Sequence, residues 1–150
     1  MTAARLATLL LWFAVSAAGT APAPAEGPVD IGWILRDPEP YHMRQVLVQG
    51  TLKEVQAIEP YYLASGAGCY GAYRLKLEDA TGSLPVAILG ICGTPFIRLP
   101  PAQVGDRVLI RGQIQAPGHK GSFYGVDGRP LPDANPDELH LVAAEIIPSP

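Results

Sequence analysis

The stretch YRLKLEDATGSLPVAI, residues 73–88, decides the fold. In its first half apolar residues alternate with Arg, Lys and Glu, and a second alternating segment follows the sequence Asp-Ala-Thr-Gly. Alternation with a period of two is typical of a strand with one buried face, and a short segment rich in Asp and Gly favours a tight turn. The stretch therefore predicts a β-hairpin with strands at 73–79 and 84–88.

The two cysteines of the chain lie on either side of this hairpin. Cys69 is as far before Glu78 as Cys92 is after Ser83, so the cysteines would face each other at its open end. We expect a structural disulfide, which in the chain-entropy model stabilises a loop of about 24 residues by roughly 3 kcal/mol. A metal-binding or redox-active pair is the alternative, although the CxxC spacing typical of such pairs is absent from the sequence.

Three further segments alternate apolar and polar residues, at 45–58, 107–114 and 139–147, which brings the predicted strands to five. Gly50 interrupts the first of them and predicts a bulge or sharp bend there. Ile31, Ile34 and Leu35 share one helical face and predict a short helical turn that plugs one end of a barrel. Residues 90–103 predict a short helix or a crossover loop, and residues 115–136 a long loop.

The N-terminal residues resemble an export signal. Arg5 precedes an apolar run at 6–18, which is shorter than the roughly 20 residues of a membrane-spanning helix, and small residues suited to cleavage follow. We predict a signal peptide and cleavage region at 1–25, a linker at 26–29 and one domain at 30–150, in the periplasm or secreted. An uncleaved membrane anchor is the alternative. The even cysteine count agrees with an oxidising compartment.

Composition narrows the class of protein. The 150 residues are 48% hydrophobic and 17% charged, which is enough to form one core and argues against a disordered chain. The 16 Gly and 16 Pro favour short strands and turns over long helices. The formal net charge is -3, and removal of Arg5 with the signal peptide makes it more negative. That balance disfavours a strong nucleic-acid binder.

Three sequence motifs indicate a particular barrel: VxVxGTL at 46–52, YxLxLxDxTGxLxV at 73–86 and GDxVxIxGxI at 105–114. Together they resemble the OB-fold superfamily, and in particular its single-domain exported bacterial proteins and the anticodon-binding, nucleic-acid-binding-like group. The resemblance implies an all-β, five-stranded OB-fold Greek-key barrel with a short N-terminal helical turn; another small all-β barrel or sandwich is the alternative. It also implies ligands at the face of strands two and three and at the loops after strands one and four.

Given that fold, the outward positions predict a partner-binding surface. Arg74 and Lys76 project from the second strand and Arg111 from the fourth, a strip that would attract phosphates or an acidic partner, or would simply be a solvated face. Aromatic residues lie in the two loops that OB-folds use. These aromatic residues are Tyr61, Tyr62, Phe123 and Tyr124. They would either form a platform on which a ligand stacks or cover the end of the barrel.

No catalytic signature is found in the sequence. His42, His119 and His140 lie on separate predicted elements, and the adjacent His42 and Met43 would point to opposite sides of a strand. We therefore expect no enzyme activity, no cofactor and no metal. The chain is predicted to be a non-enzymatic exported binding module for a protein or envelope ligand. Weak binding of single-stranded nucleic acid through the same face is the alternative, and a small-ligand carrier or minor enzyme is a third class.

Overall fold

The structure is a computed structural model that describes residues 27–63, 65–119 and 137–149. The predicted region 1–25 lies outside these ranges. The described elements are α1 (Ile31–Arg36), a 3-10 turn (Glu39–Tyr41), β1 (Gln45–Ala57), β2 (Tyr61–Tyr62), β3 (Gly68–Tyr70), β4 (Tyr73–Glu78), β5 (Ser83–Ile88), β6 (Ile91–Cys92), β7 (Arg107–Gln115) and β8 (His140–Pro148). Five of them match the strands predicted from alternation, each to within a residue of the predicted bounds, and these are β1, β4, β5, β7 and β8.

Five strands close into a barrel in the order β1-β4-β5-β8-β7. Neighbours are antiparallel, except that β5 and β8 run parallel with Val86 opposite Leu141. Because β1 pairs with both β4 and β7, the first strand completes the ring. An order in which the last strand lies between the third and the fourth is that of the OB-fold. The predicted all-β, five-stranded Greek-key barrel is confirmed.

Strand β1 pairs with both of its neighbours, each along a different part of its length. Its residues up to Thr51 pair with β7, and those from Thr51 onward pair with β4. The register shift lies between Leu52 and Glu54, so the bulge predicted at Gly50 is misplaced. Gly50 also has no positive φ. Glycine is required there because a Cβ would lie 2.6 Å from the backbone oxygen of Glu78, so close approach of two strands explains the residue.

Aliphatic side chains that face inward fill the barrel, as the alternation predicted. Full burial of a side chain of this kind contributes about 1.5–3 kcal/mol. The largest fully buried side chains are Ile31, Ile34, Val48, Leu52, Leu75, Leu77, Leu84, Val86, Val108, Ile110, Ile114 and Leu141.

Helix α1 plugs one end of this core. Ile31 and Ile34 are fully buried and belong to the core cluster, as predicted, whereas Leu35 from the same predicted face is 41% exposed. In the part of the chain that the structure describes, no helix has the length and apolar character needed to cross a membrane.

The turn between β4 and β5 is organised by Asp79 and also caps α1. Oδ1 of Asp79 accepts hydrogen bonds from the backbone N–H groups of Thr81 and Gly82 and from the Thr81 hydroxyl. Oδ2 accepts from the N–H of Ile31 at 2.8 Å, and Oγ1 of Thr81 accepts from the N–H of Gly32 at 2.7 Å. The N-cap residue itself makes no such side-chain bond. The helix start is therefore bonded to a turn far away in the sequence.

We expect Asp79→Asn to lower the free energy of unfolding at neutral pH by about 1–3 kcal/mol, because the amide accepts fewer and weaker bonds than the carboxylate. Burial raises the pKa of Asp79, but hydrogen bonds from Thr81, Ile31 and Gly82 outweigh it, and the net pKa lies below the usual 3.8. Because the pKa is lower in the folded state, the stabilisation is complete above about pH 4 and is lost as the pH falls through the folded value.

Urea unfolding from neutral to acidic pH measures this effect. The difference between the wild type and Asp79→Asn should shrink in acid. Asp37→Asn, a substitution at an exposed aspartate, is the matched control and should change little at any pH. A difference for Asp79→Asn that stays constant into acid would contradict the assigned bonds.

The register of the hairpin continues past the ends of β4 and β5 to the cysteines. Tyr73 lies opposite Ile88 at the open end of the barrel hairpin, and Cys69 lies opposite Cys92 in the small sheet beyond it. A disulfide joins the two cysteines. The pairing predicted from their distances to the turn is therefore confirmed.

Candidate functional site

The connection from β1 to β4 forms, together with β6, a three-stranded sheet with the order β2-β3-β6. Tyr62 lies opposite Gly68 and Tyr70 opposite Ile91, so all four share one side of this sheet. Tyr62 is 69% exposed, Ile91 is 55% exposed and Tyr70 is half-buried. We refer to Tyr62, Tyr70 and Ile91 as the tyrosine face.

The two tyrosines of this face interact above a glycine. A Cβ at Gly68 would overlap the phenol of Tyr70, so the glycine makes room for that ring. Burial raises the pKa of Tyr70, and the charge and hydrogen bond of Tyr62 raise it further. The Tyr70 phenol is therefore neutral at physiological pH, and the face offers apolar surface with hydroxyl groups. The other predicted tyrosine, Tyr61, is half-buried with its hydroxyl beside Gly90.

In residues 96–99, which we call the inverted loop, the polar residue is half-buried against the chain and the aliphatic residues face solvent. Nη1 of Arg98 donates to the backbone oxygens of Gly71 at 3.1 Å and Leu89 at 3.3 Å. The hydroxyl of Tyr73 donates to the backbone oxygen of Arg98. Ile97 and Leu99 are 93% and 79% exposed. Arg98 therefore anchors a loop that presents two aliphatic side chains to solvent.

The inverted loop is next to the tyrosine face. Gly71, which follows Tyr70, has a φ of +70°, and a Cβ there would lie 2.8 Å from the Cβ of Arg98 and 3.2 Å from the ring of Phe96. This surface is not among the sites predicted from the sequence. The available signal was a run of apolar residues, at 96, 97 and 99, between prolines in a segment without strand alternation. The predicted alternatives for 90–103 resolve to a loop, with only the short strand β6.

The predicted cations on β4 lie beside acidic or polar neighbours. Lys76 lies opposite Glu54, with Nζ and Oε1 4.0 Å apart, and Arg74 lies opposite Gln56. Arg74 is half-buried, and its positive charge acts on His140 of β8. Burial lowers the pKa of His140, a hydrogen bond to the backbone oxygen of Glu138 opposes this, and the charge of Arg74 lowers the pKa further. These two cations therefore belong to a mixed surface and not to a continuous positive strip.

Arg111, the third predicted cation, is in a different place. It lies on β7 opposite Leu47 in the first half of β1, whereas Lys76 lies opposite a residue in the second half. Its guanidinium donates to Glu145 of β8 at 2.9 Å. The structure thus brings Arg74 and Lys76 together on β4 but separates Arg111 from them. Phe123 and Tyr124 lie outside the described residues.

Two of the three histidines come together although they belong to separate elements. The rings of His42 and His119 stack with centroids 3.7 Å apart. Nδ1 of His42 accepts from the N–H of Ala116 at 3.2 Å, and Nε2 of His119 lies 3.5 Å from Glu39. Nδ1 of His42 is therefore engaged by the backbone. Within the described ranges, no group of three or more His, Cys, Asp or Glu side chains is placed to hold a metal ion.

Two clefts, of about 430 and 460 Å³, flank the segment 27–30, where the N–H of Val29 donates to the backbone oxygen of Leu47. Neither is lined by a predicted site residue. In the first cleft Lys53 and Glu78 form an ion pair at 3.6 Å. The carboxylate of Asp79 already accepts hydrogen bonds within the β4–β5 turn. Both clefts therefore lie apart from the tyrosine face and the inverted loop.

No protein-family model and no curated protein matches the chain. Among solved structures, it is similar to a crystal structure described as an aspartyl-tRNA synthetase from Leishmania major Friedlin, with 10% sequence identity and a TM-score of 0.49. The match covers 87% of this chain and 22% of the synthetase chain. So distant a likeness has no bearing on function, and the strand order alone identifies the OB-fold.

Proposed function

We propose that the chain is a non-enzymatic, exported OB-fold binding module that contacts a protein partner through the tyrosine face and the inverted loop. The inverted loop carries this proposal, because its arginine is used internally while Ile97 and Leu99 are left in solvent. Contiguous exposed apolar surface on a small domain marks contact with another molecule. Contacts at Gly71 make the two surfaces continuous.

The charges favour a protein over a nucleic acid as the partner. Ion pairs connect Lys76 to Glu54 and Arg111 to Glu145, which reduces the positive potential that phosphates would need. The formal net charge of the chain is negative. Exposed Tyr and aliphatic groups are instead typical of the centre of a protein interface.

Export, most simply to a bacterial periplasm, is part of the proposal. The apolar run at 6–18 behind Arg5 has the size of a signal-peptide core. The disulfide between Cys69 and Cys92 supports an oxidising compartment, because such bonds rarely persist in the cytosol.

Site-specific photo-crosslinking tests the proposed surface without knowledge of the partner. A photoreactive phenylalanine analogue placed at Tyr62 or Ile97 of the full chain is expected to give discrete crosslinked products in irradiated cells. The matched control is Val104, which is 61% exposed. It lies beside β1, since the N–H of the next residue, Gly105, donates to the backbone oxygen of Leu52. Equal products from Val104, or none from Tyr62 and Ile97, would contradict the proposal.

Weak binding of single-stranded nucleic acid is a second candidate, favoured by the exposure of Tyr62 in a connection that OB-folds use for oligonucleotides. Fluorescence anisotropy of labelled single-stranded DNA and RNA, at low and physiological salt, separates the two. Phosphate contacts predict binding that weakens steeply with salt and disappears when Arg74→Ala and Lys76→Ala are combined in a variant shown to be folded. Our proposal predicts no binding at either salt concentration.

A further inference from the structure

We infer that the disulfide between Cys69 and Cys92 is a redox switch of the partner surface. The tyrosine face exists in the oxidised protein and is lost, with the barrel intact, when the bond is reduced. This rests on the proposed function, since it names a condition on which the same surface depends. Three observations support it: the sheet that carries the face buries little besides this bond, Cys92 is exposed, and Arg98 ties that sheet to the barrel.

The sheet β2-β3-β6, which we call the small sheet, has almost no core of its own. Its strands have two, three and two residues, and among these only Gly68 and Cys69 are buried. Cys69 is fully buried but does not belong to the hydrophobic cluster that fills the barrel. Because glycine has no side chain, the disulfide is what this sheet packs around. Strand pairs this short, without an apolar face to bury, are marginally stable in water. The small sheet therefore depends on the bond.

Arg98 marks the place where opening of the small sheet would end. Its Nη1 donates to the backbone oxygen of Gly71, which follows β3, and to that of Leu89, which precedes β6. The guanidinium thus joins the two sides of the hairpin between the small sheet and the barrel. On the barrel side Tyr73 and Ile88 pair directly, and Tyr73 belongs to the core. Loss of the disulfide would release the chain beyond Arg98 and leave the barrel hairpin closed.

The tyrosine face takes one residue from each strand of the small sheet. Tyr62 lies on β2, Tyr70 on β3 and Ile91 on β6. Tyr70 and Ile91 are the chain neighbours of the two cysteines, so separation of β3 from β6 divides the face. The inverted loop stays with the barrel through Arg98. A partner that contacts both surfaces would therefore lose about half of its contacts on reduction.

Reduction begins at Cys92, because this residue is exposed while Cys69 is fully buried, and exposed disulfides are the labile ones. A thiolate of an external dithiol attacks Sγ of Cys92, the S–S bond breaks, and Sγ of Cys69 leaves. The second thiolate of the reductant then displaces Cys92 from the mixed disulfide. The dithiol becomes a disulfide, and each freed cysteine sulfur takes up one of the two protons that the dithiol gives up. Exchange with an external disulfide reverses the step and closes the small sheet.

Hydrogen–deuterium exchange on protein isolated after expression of the full chain tests the inference. Dithiothreitol should free both thiols without denaturant. Amides of the small sheet should then exchange at least about tenfold faster, whereas those of β4 and β5 should stay protected. One such amide is that of Gly93, which donates to the backbone oxygen of Gly68 at 2.9 Å. The combined Cys69→Ala and Cys92→Ala variant should exchange like the reduced wild type and should not respond to dithiothreitol.

Three outcomes of this experiment would overturn the inference. They are a bond that dithiothreitol reduces only in denaturant, unchanged exchange in the small sheet after reduction, and loss of protection throughout the barrel. In cells, crosslinks from a photoreactive group at Tyr62 should disappear when both cysteines are replaced, and their persistence would also overturn it. The proposed function fails separately. If neither Tyr62 nor Ile97 gives crosslinks in the oxidised protein, the partner surface is wrong, and the exchange experiment still decides whether the disulfide closes the small sheet.

Discussion

Replacing Gly50 by valine is expected to lower the free energy of unfolding by about 3 kcal/mol, at the upper end of the usual effect of overpacking. A Cβ at this position would lie 2.6 Å from the backbone oxygen of Glu78 and 2.9 Å from Cγ of Leu77. Neither neighbour can move easily. Leu77 is fully buried, and Glu78 is paired with Thr51 on one side and Ser83 on the other. Urea unfolding monitored by circular dichroism gives the value.

A matched control separates this clash from the general effect of losing a glycine. Gly27→Val introduces the same side chain where nothing lies within 4 Å of the new Cβ, and should change stability by less than about 0.5 kcal/mol. Gly50→Ala should produce much of the effect of valine, because the Cβ itself makes the close contact. If both Gly50 variants unfold at the wild-type urea concentration, the close approach of β1 and β4 is wrong.

Loss of the disulfide is expected to lower the free energy of unfolding by about 3 kcal/mol, the chain-entropy value for a loop of about 24 residues. The expected readout is a large shift of the wild-type unfolding midpoint on addition of reductant. The combined Cys69→Ala and Cys92→Ala variant should unfold close to the reduced wild type and should not respond to reductant.

Thiol counting gives an independent check of the same bond. The unfolded wild-type protein should show no reactive thiol until it is reduced, since the described residues contain no free cysteine. Detection of two thiols before reduction would exclude the bond in the isolated protein. An unchanged midpoint after complete reduction would show that the bond adds nothing to stability.

The sequence was sufficient for the strands because in them local pattern and global fold agree. Each barrel strand has one face in the core and one outside, so alternation locates it to within a residue, and the turn fixes the hairpin register out to the cysteines. The helical face with Ile31 and Ile34 was predictable for the same reason. The helical spacing of these two apolar residues places both of them on the side of α1 that is buried.

What could not be predicted depends on three-dimensional placement. The alternation correctly predicts that Arg111 and Lys76 face away from the core. A closed barrel has several outer sides, however, and only the pairing with β1 shows that these two residues lie on different sides. Gly50 predicted a bend, but only the position of Glu78 shows which contact requires glycine. In the inverted loop, Arg98 points inward because backbone oxygens from two other segments accept its hydrogen bonds. No periodic signal encodes that arrangement.

The capping of α1 by the β4–β5 turn also makes the helix depend on a segment that lies much later in the chain. A helix of six residues has little stability of its own. Its first two N–H groups bond to Asp79 and Thr81, so its stable form requires the completed hairpin. A chain that emerges N-terminus first therefore exposes this segment early and structures it late. The two side chains that receive its N–H groups follow 48 and 49 residues later in the chain, so the helix forms only after the turn has been made.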